Sequence, residues 1–596
     1  MAATGQRYRI APSVTRPIPA AYRRRPDDPA YRLLRVLTLD PTASRLEGSV
    51  ACIEVPYEPL EPGPQGRLFK VDGYDYAQAV AYRKADLDDV HVLLKDGYDP
   101  SPADPRFHEQ MVYAVCSSVC ASFRDALGRQ LSWGFRSRGD DHLLYLRPFA
   151  FRDANAYYDK LEGCISFGYL PMPAATRSAR ALPGETVFAC LSHDVVAHEI
   201  THALLDGLRA NFSIPTGPDV AGFHEGFCDL VTIFQRMRYK EVVAVAIRKS
   251  HGMLDESSLL GVLGHQLGLA SGSQYVRDLM DARTYDADAG AHKIGNVLAG
   301  AVFEAYLTVF RRKTERLRRL ASNGSGILPP GELGHDLAEL LAGEATDLAR
   351  QFQALVIRAI DYCPPVDIHL GEYLRALVTA DHDLVPTDPW AYREALVDAF
   401  MKRCIYPQEV GTLSQHDLLW RAPRLALPPI AELDFAHLRF GRDPACPAGA
   451  EELERQAALL GEFATRPEHL QEFGLTCKGA PGLEGASAEL PQVASIRASR
   501  RIGPDREIVF DLVAEITQRC IVPARGGKPA YALFGGATVI IGPDGAIRYI
   551  VSKSAVGKDR PTRRLAFMDS PAGRRYWSLD GKRYRMRNAM FRVLHQ

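Results

Sequence analysis

DVVAHEITHALLDG, Asp194 to Gly207, carries apolar residues at helical spacing with no glycine or proline before Gly207, which predicts a helix. His198 and His202 stand four residues apart and project from one face of it. Two imidazoles at that spacing can take adjacent corners of a zinc tetrahedron, and the intervening Glu199 lies beside the corner where water binds. A triplet of this kind suits metal-assisted hydrolysis.

Downstream, HEGFCDL places Glu225 and Asp229 four apart on what reads as a second helix. Glu225 can close the ligand set. Asp229 can accept a hydrogen bond from the far nitrogen of a ligand imidazole, as such sites usually require. Phe223, Phe227, Cys228 and Leu230 surround the two acids with apolar character, which predicts burial.

Together these segments resemble the thermolysin-like metallopeptidases. DVVAHEITHA resembles that family's metal-binding helix almost residue for residue, and NAYYD at Asn155 to Asp159 resembles its edge strand. The resemblance implies that the backbone of Asn155 and Ala156 pairs with an extended peptide. AHKIGNVLAGAVFEAYL resembles the segment in which a histidine opens a helix, which makes His292 the donor to the transition-state oxyanion. YVRDLMDAR puts Arg277 where the family binds a substrate carbonyl. A zinc peptidase is thereby implied, with Zn2+ as cofactor, His198, His202 and Glu225 as ligands and Glu199 as general base. A peptide or protein is its expected substrate. The motifs run in family order from about Phe107 to Pro407.

The sequence departs from the family in several places. A helper tyrosine expected eleven residues after the second histidine is replaced by Ser213, with Phe212 beside it, and an asparagine before the glutamate ligand is replaced by His224. His224 is expected to support a ligand imidazole from behind, the alternative being an accidental ligand. The family's calcium-binding aspartate corresponds to Asp194, but its partner glutamate corresponds to Arg236, so an ion pair is expected in place of calcium. Neither a signal peptide nor a long inhibitory propeptide is recognisable.

The chain has 596 residues, which is too many for one ordinary core. The expected fold class is α+β: a thermolysin-like two-lobed core, with a mixed α/β lobe over 106–240 and a mainly helical lobe over 241–408. A β-rich N-terminal region and linker over 1–105 and a C-terminal α+β extension over 409–596 flank it. Lys+Arg and Asp+Glu are equal at 72 each, so no net field draws nucleic acid or anionic lipid. The odd count of eleven cysteines argues against a disulfide framework and fits a reducing compartment. With no segment approaching a membrane span, a soluble, cytoplasmic protein is expected. Oligomeric state stays open. Two other readings of the same residues are a metallopeptidase fold that binds without turnover, and a hydrolase of a non-peptide amide or an exopeptidase.

Overall fold

The computed structural model describes residues 7–19, 22–39, 48–136, 142–171, 184–254, 262–263, 277–279, 281–328, 331, 333–439, 447–477, 485–503, 507–557, 559–587 and 590–591. Over these residues the protein is mixed α+β, as expected. An antiparallel hairpin, Tyr31–Leu37 with Val50–Pro56, turns Leu34, Val36, Ile53 and Val55 inward by strand alternation. It packs on helix α1 (Pro105–Leu127). That helix starts where the Asp104 carboxylate accepts from the Arg106 N–H and Pro105 supplies a fixed φ. It stops at Gly128, whose φ of 63° suits a residue without Cβ.

Strands β1 (Phe69–Val71), β2 (Leu144–Phe151), β3 (Ala156–Asp159), β4 (Cys164–Pro171) and β5 (Thr186–Phe188) form one sheet in the order β5–β4–β2–β1, with β3 also pairing β4. The β1–β2 and β2–β4 pairs are parallel, whereas β3 and β5 run antiparallel to β4. Because β2 occupies the opposite side of β4, the strand predicted from NAYYD is an edge strand. The motif helix α2 (His193–Leu208) packs against it.

Helix α3 (Pro218–Arg236) begins on Pro218 and crosses α4 (Ala291–Ala321) at close range. Missing side chains allow that approach: a Cβ on Gly295 would stand 2.7 Å from the Glu225 Cβ, and one on Gly226 would stand 2.6 Å from the Gly295 carbonyl oxygen. Against the expectation that no segment approaches a membrane span, α4 is long and apolar enough to pass that test. Its apolar window is mostly buried in the protein, so the hydropathy is explained by core packing. Helices His335–Arg358, Leu370–Leu384 and Tyr392–Lys402 complete the helical region.

The C-terminal region is built on four long antiparallel strands, β6 (Gln492–Ile502), β7 (Ile508–Val522), β8 (Tyr531–Ile541) and β9 (Ile547–Lys553). The hairpin read from Gly535 to Ala555 is β8–β9, with Gly545 at φ 75° in its turn. Arg9–Ile10 adds a parallel strand beside β6, and helix Ala450–Ala464 covers a separate core containing Leu460, Phe473, Ile496 and Ile516. This region is fastened to the end of α2. Buried Arg209, the residue capping that helix, donates to the Glu515 carboxylate and, at 3.0 Å, to Thr538 Oγ1.

Candidate metal centre

Helix α2 is buried on nearly every side, so its polar side chains sit where hydrogen-bonding groups must find partners. The four-residue spacing puts the imidazoles of His198 and His202 on one face, edge to face with their ring centroids 4.7 Å apart. His198 Nδ1 lies 3.0 Å from Asp229 Oδ1 on α3. That contact assigns the imidazole proton to Nδ1 and leaves Nε2 with its lone pair directed into the site. Asp229 thus stands where the sequence placed it.

Glu225 lies on α3 one helical turn before Asp229 and meets both imidazoles. His198 Nε2 is 3.5 Å from Glu225 Oε2, and His202 Nε2 is 3.5 Å from Glu225 Oε1. Each imidazole therefore faces its own carboxylate oxygen. His292, second residue of α4, approaches the same carboxylate, its Nδ1 2.6 Å from Glu225 Oε2. Its side chain is 45% exposed, so it forms the open side of a site whose other members are buried.

Glu199 turns toward the edge strand, where its Oε2 accepts from the Tyr158 backbone N–H at 2.9 Å. Strand alternation gives Ala156 the same outward backbone orientation as Tyr158, away from β4. The Ala156 N–H is met by Asn155 Oδ1 at 2.8 Å, while the Asn155 carbonyl accepts from Gly168 N–H. Of this pair, only Ala156 offers an outward carbonyl. Arg277 lies on a two-residue strand, Arg277–Asp278, and its side chain lies outside the described residues.

His224 was expected beside a ligand imidazole; Cys228 was not expected to take part. His224 and Cys228 are four apart on α3 and both face His202: Cys228 Sγ is 3.3 Å, and His224 Nδ1 3.4 Å, from His202 Nδ1. The expected supporting position of His224 is therefore occupied, and burial holds its pKa well below the ordinary imidazole value, so it is neutral. His198, His202 and Cys228 each offer a ligand atom, all within 4.8 Å of one another, so this buried group could hold a metal ion. The i, i+4 relation of His224 to Cys228 was the available signal. Ser213 donates to the Ala210 carbonyl at 2.7 Å.

The C-terminal region also reaches the site. Tyr576 is buried, which pushes its phenol up to about 12, with Arg575 opposing and the Glu225 carboxylate adding to the rise. Phe591 packs edge-on against three rings, with centroid distances of 5.6 Å to His202, 5.3 Å to His224 and 5.1 Å to Tyr158. Beyond Tyr158, Asp206 accepts from the Tyr158 hydroxyl at 3.0 Å and from Lys160 Nζ at 2.5 Å, and lines a cavity of about 440 Å³. No protein-family model matches the chain, and no curated protein matches it in sequence.

Proposed function

We propose that the protein is a zinc-dependent peptidase with His198, His202 and Glu225 as metal ligands and Glu199 as general base. The observation carrying this reading is the paired 3.5 Å separation between the two imidazole Nε2 atoms and the two oxygens of one carboxylate. Ligand atoms at tetrahedral angles around zinc, with bonds of about 2.0–2.1 Å, stand about 3.3 Å apart, so each of these two separations is near that of two ligands of one ion. When bound, zinc polarises the scissile carbonyl and makes water a competent nucleophile at neutral pH.

The chain's own residues supply the rest. Glu199, oriented by the Tyr158 N–H, takes the proton from the attacking water and passes it to the leaving amine. Asp229 fixes the tautomer and angle of His198. The outward edge of β3 at Ala156 pairs an extended peptide beside Glu199. Half-exposed His292, whose Nδ1 meets Glu225 Oε2, donates to the developing oxyanion from Nε2 when its ring carries both protons.

Glu199→Gln tests this directly, because the amide keeps the shape but takes up no proton. The variant is expected to retain its metal and to lose roughly 100-fold or more of the cleavage of a peptide library. Equal turnover in the two proteins would exclude the mechanism.

A second reading has a specific observation in its favour. The His198, His202 and Cys228 group, whose thiol meets His202 on its Nδ1 side, would hold an ion structurally without turnover. One imidazole does not give both nitrogens to one ion. The carboxylate set is preferred because the Asp229 contact turns His198 Nε2 toward Glu225.

A further inference from the structure

The ligands and the base come from residues 198–225, yet one wall of the site is built by residue 591. We infer that Phe591 is a positioning residue of the metal centre: its ring, wedged against His202 and His224, sets the angle at which His202 Nε2 faces Glu225. This rests on the peptidase reading given above.

An imidazole turns about a broad torsion, so its direction in a site is decided by its neighbours more than by its rotamer. For His198 a carboxylate at 3.0 Å does this. On the corresponding side of His202 stand a thiol at 3.3 Å and an imidazole at 3.4 Å, both weaker acceptors than a carboxylate. Packing supplies the complementary constraint. His202 and His224 stack at 29°, and Phe591 presents itself to them at 63° and 79°, closing a three-ring cluster. Offset and edge-on arrangements of this kind are the favoured ones for aromatic rings.

The same ring touches Tyr158 at 67°, and it is the Tyr158 backbone N–H that holds Glu199. Phe591 therefore braces a metal ligand and the strand beneath the base at once. Met590 and Phe591 are wholly buried and belong to the core that also contains Val196, Ile200 and Ala203 of α2. The docking is not a surface contact: Trp577 Nε1 donates to the Pro215 carbonyl at 2.9 Å, and Arg564 Nη1 donates to the same oxygen at 2.8 Å, just before α3.

The test uses the full chain carrying Phe591→Leu, which keeps apolar volume but removes the ring edge, beside Phe591→Ala. Zinc affinity is read by competition with a chromophoric chelator, together with apoprotein melting and the kcat and KM of peptide cleavage. Phe591→Leu is expected to bind zinc roughly 10- to 100-fold more weakly while melting near the wild-type temperature, with kcat lowered and KM little changed. Phe591→Ala should lose more affinity. Wild-type affinity in folded Phe591→Leu, or faster cleavage by either variant, overturns the inference, the latter by showing that the segment obstructs the site. Failure of the peptidase reading is distinct: wild type that binds zinc without cleaving peptides removes that reading and leaves the affinity result to decide Phe591. Wild type that binds no zinc removes both.

Discussion

Arg236 Nη1 lies 2.7 Å from Asp194 Oδ2, a buried ion pair joining the last turn of α3 to the first turn of α2. The charges also suit the helix ends they occupy, an anion at an N-terminus and a cation at a C-terminus. The guanidinium thus supplies the positive charge beside Asp194. Calcium is expected to leave the melting temperature of zinc-loaded protein unchanged, and a large rise at micromolar calcium would count against this assignment. Arg236→Met leaves a buried carboxylate without this cation and should cost about 3–5 kcal/mol, with Asp194→Asn in the same chain restoring part of the loss.

Substitution separates the two possible ligand sets. Glu225→Gln should abolish stoichiometric zinc binding, and Cys228→Ser should leave it nearly intact, because the thiol faces the other nitrogen of His202. Elemental analysis of dialysed protein gives the answer. The reverse pattern would select the thiolate site. Asp229→Ala should weaken binding by roughly 10- to 100-fold without abolishing it.

Gly295 sets how near α4 comes to Glu225. Gly295→Ala would drive a Cβ to 2.7 Å from that of Glu225, so the helices must separate. Zinc affinity should fall by about tenfold or more while the far-ultraviolet circular dichroism stays that of the wild type. Gly343→Ala serves as control, since nothing lies within 4 Å of its added Cβ.

On α1, His108 and Glu109 titrate in opposition. Burial lowers His108 from 6.5 to about 4, so between those values the unfolded chain binds a proton that the native protein does not. Stability therefore falls as pH drops through that window, by about 3 kcal/mol in all. Burial raises Glu109 from 4.5 to about 7, so the native protein keeps a proton the unfolded chain loses, and stability falls as pH rises through that window by a similar amount, about 3 kcal/mol. Between about pH 4.5 and 6.5 the two slopes cancel. Glu109→Gln should expose the His108 slope, with apoprotein melting falling toward pH 4.5 more steeply than in wild type; parallel profiles would refute the pairing.

The parts legible in sequence are those written locally. Asp194 to Gly207 and the Glu225 to Asp229 segment carry helical periodicity together with their chemistry, whereas NAYYD, which forms an edge strand, was legible only through the resemblance. His292 was legible as the opening of a helix, but its contact with Glu225 was not, because it depends on two helices meeting at Gly226 and Gly295. Cys228 was read only as an apolar neighbour; that its thiol meets His202 Nδ1 follows from which face α3 turns to α2. Phe591 and Tyr576 were beyond reach, since nothing in their local spacing reports contact with a helix nearly four hundred residues earlier. The buried tie from Arg209 to Glu515 was hidden for the same reason.

Arg9 and Ile10 find their strand partners at Gln492 and Val493. A ribosome adding about 5–20 residues per second needs roughly half a minute to a minute and a half between making the two halves of that pairing. Throughout that interval the first strand has an exposed hydrogen-bonding edge, and for about its latter half the helices bearing His198 and Glu225 are already synthesised. The last sheet is consequently a clasp that shuts late, and protease protection around residues 9–11 should appear only in nascent chains that extend past β6.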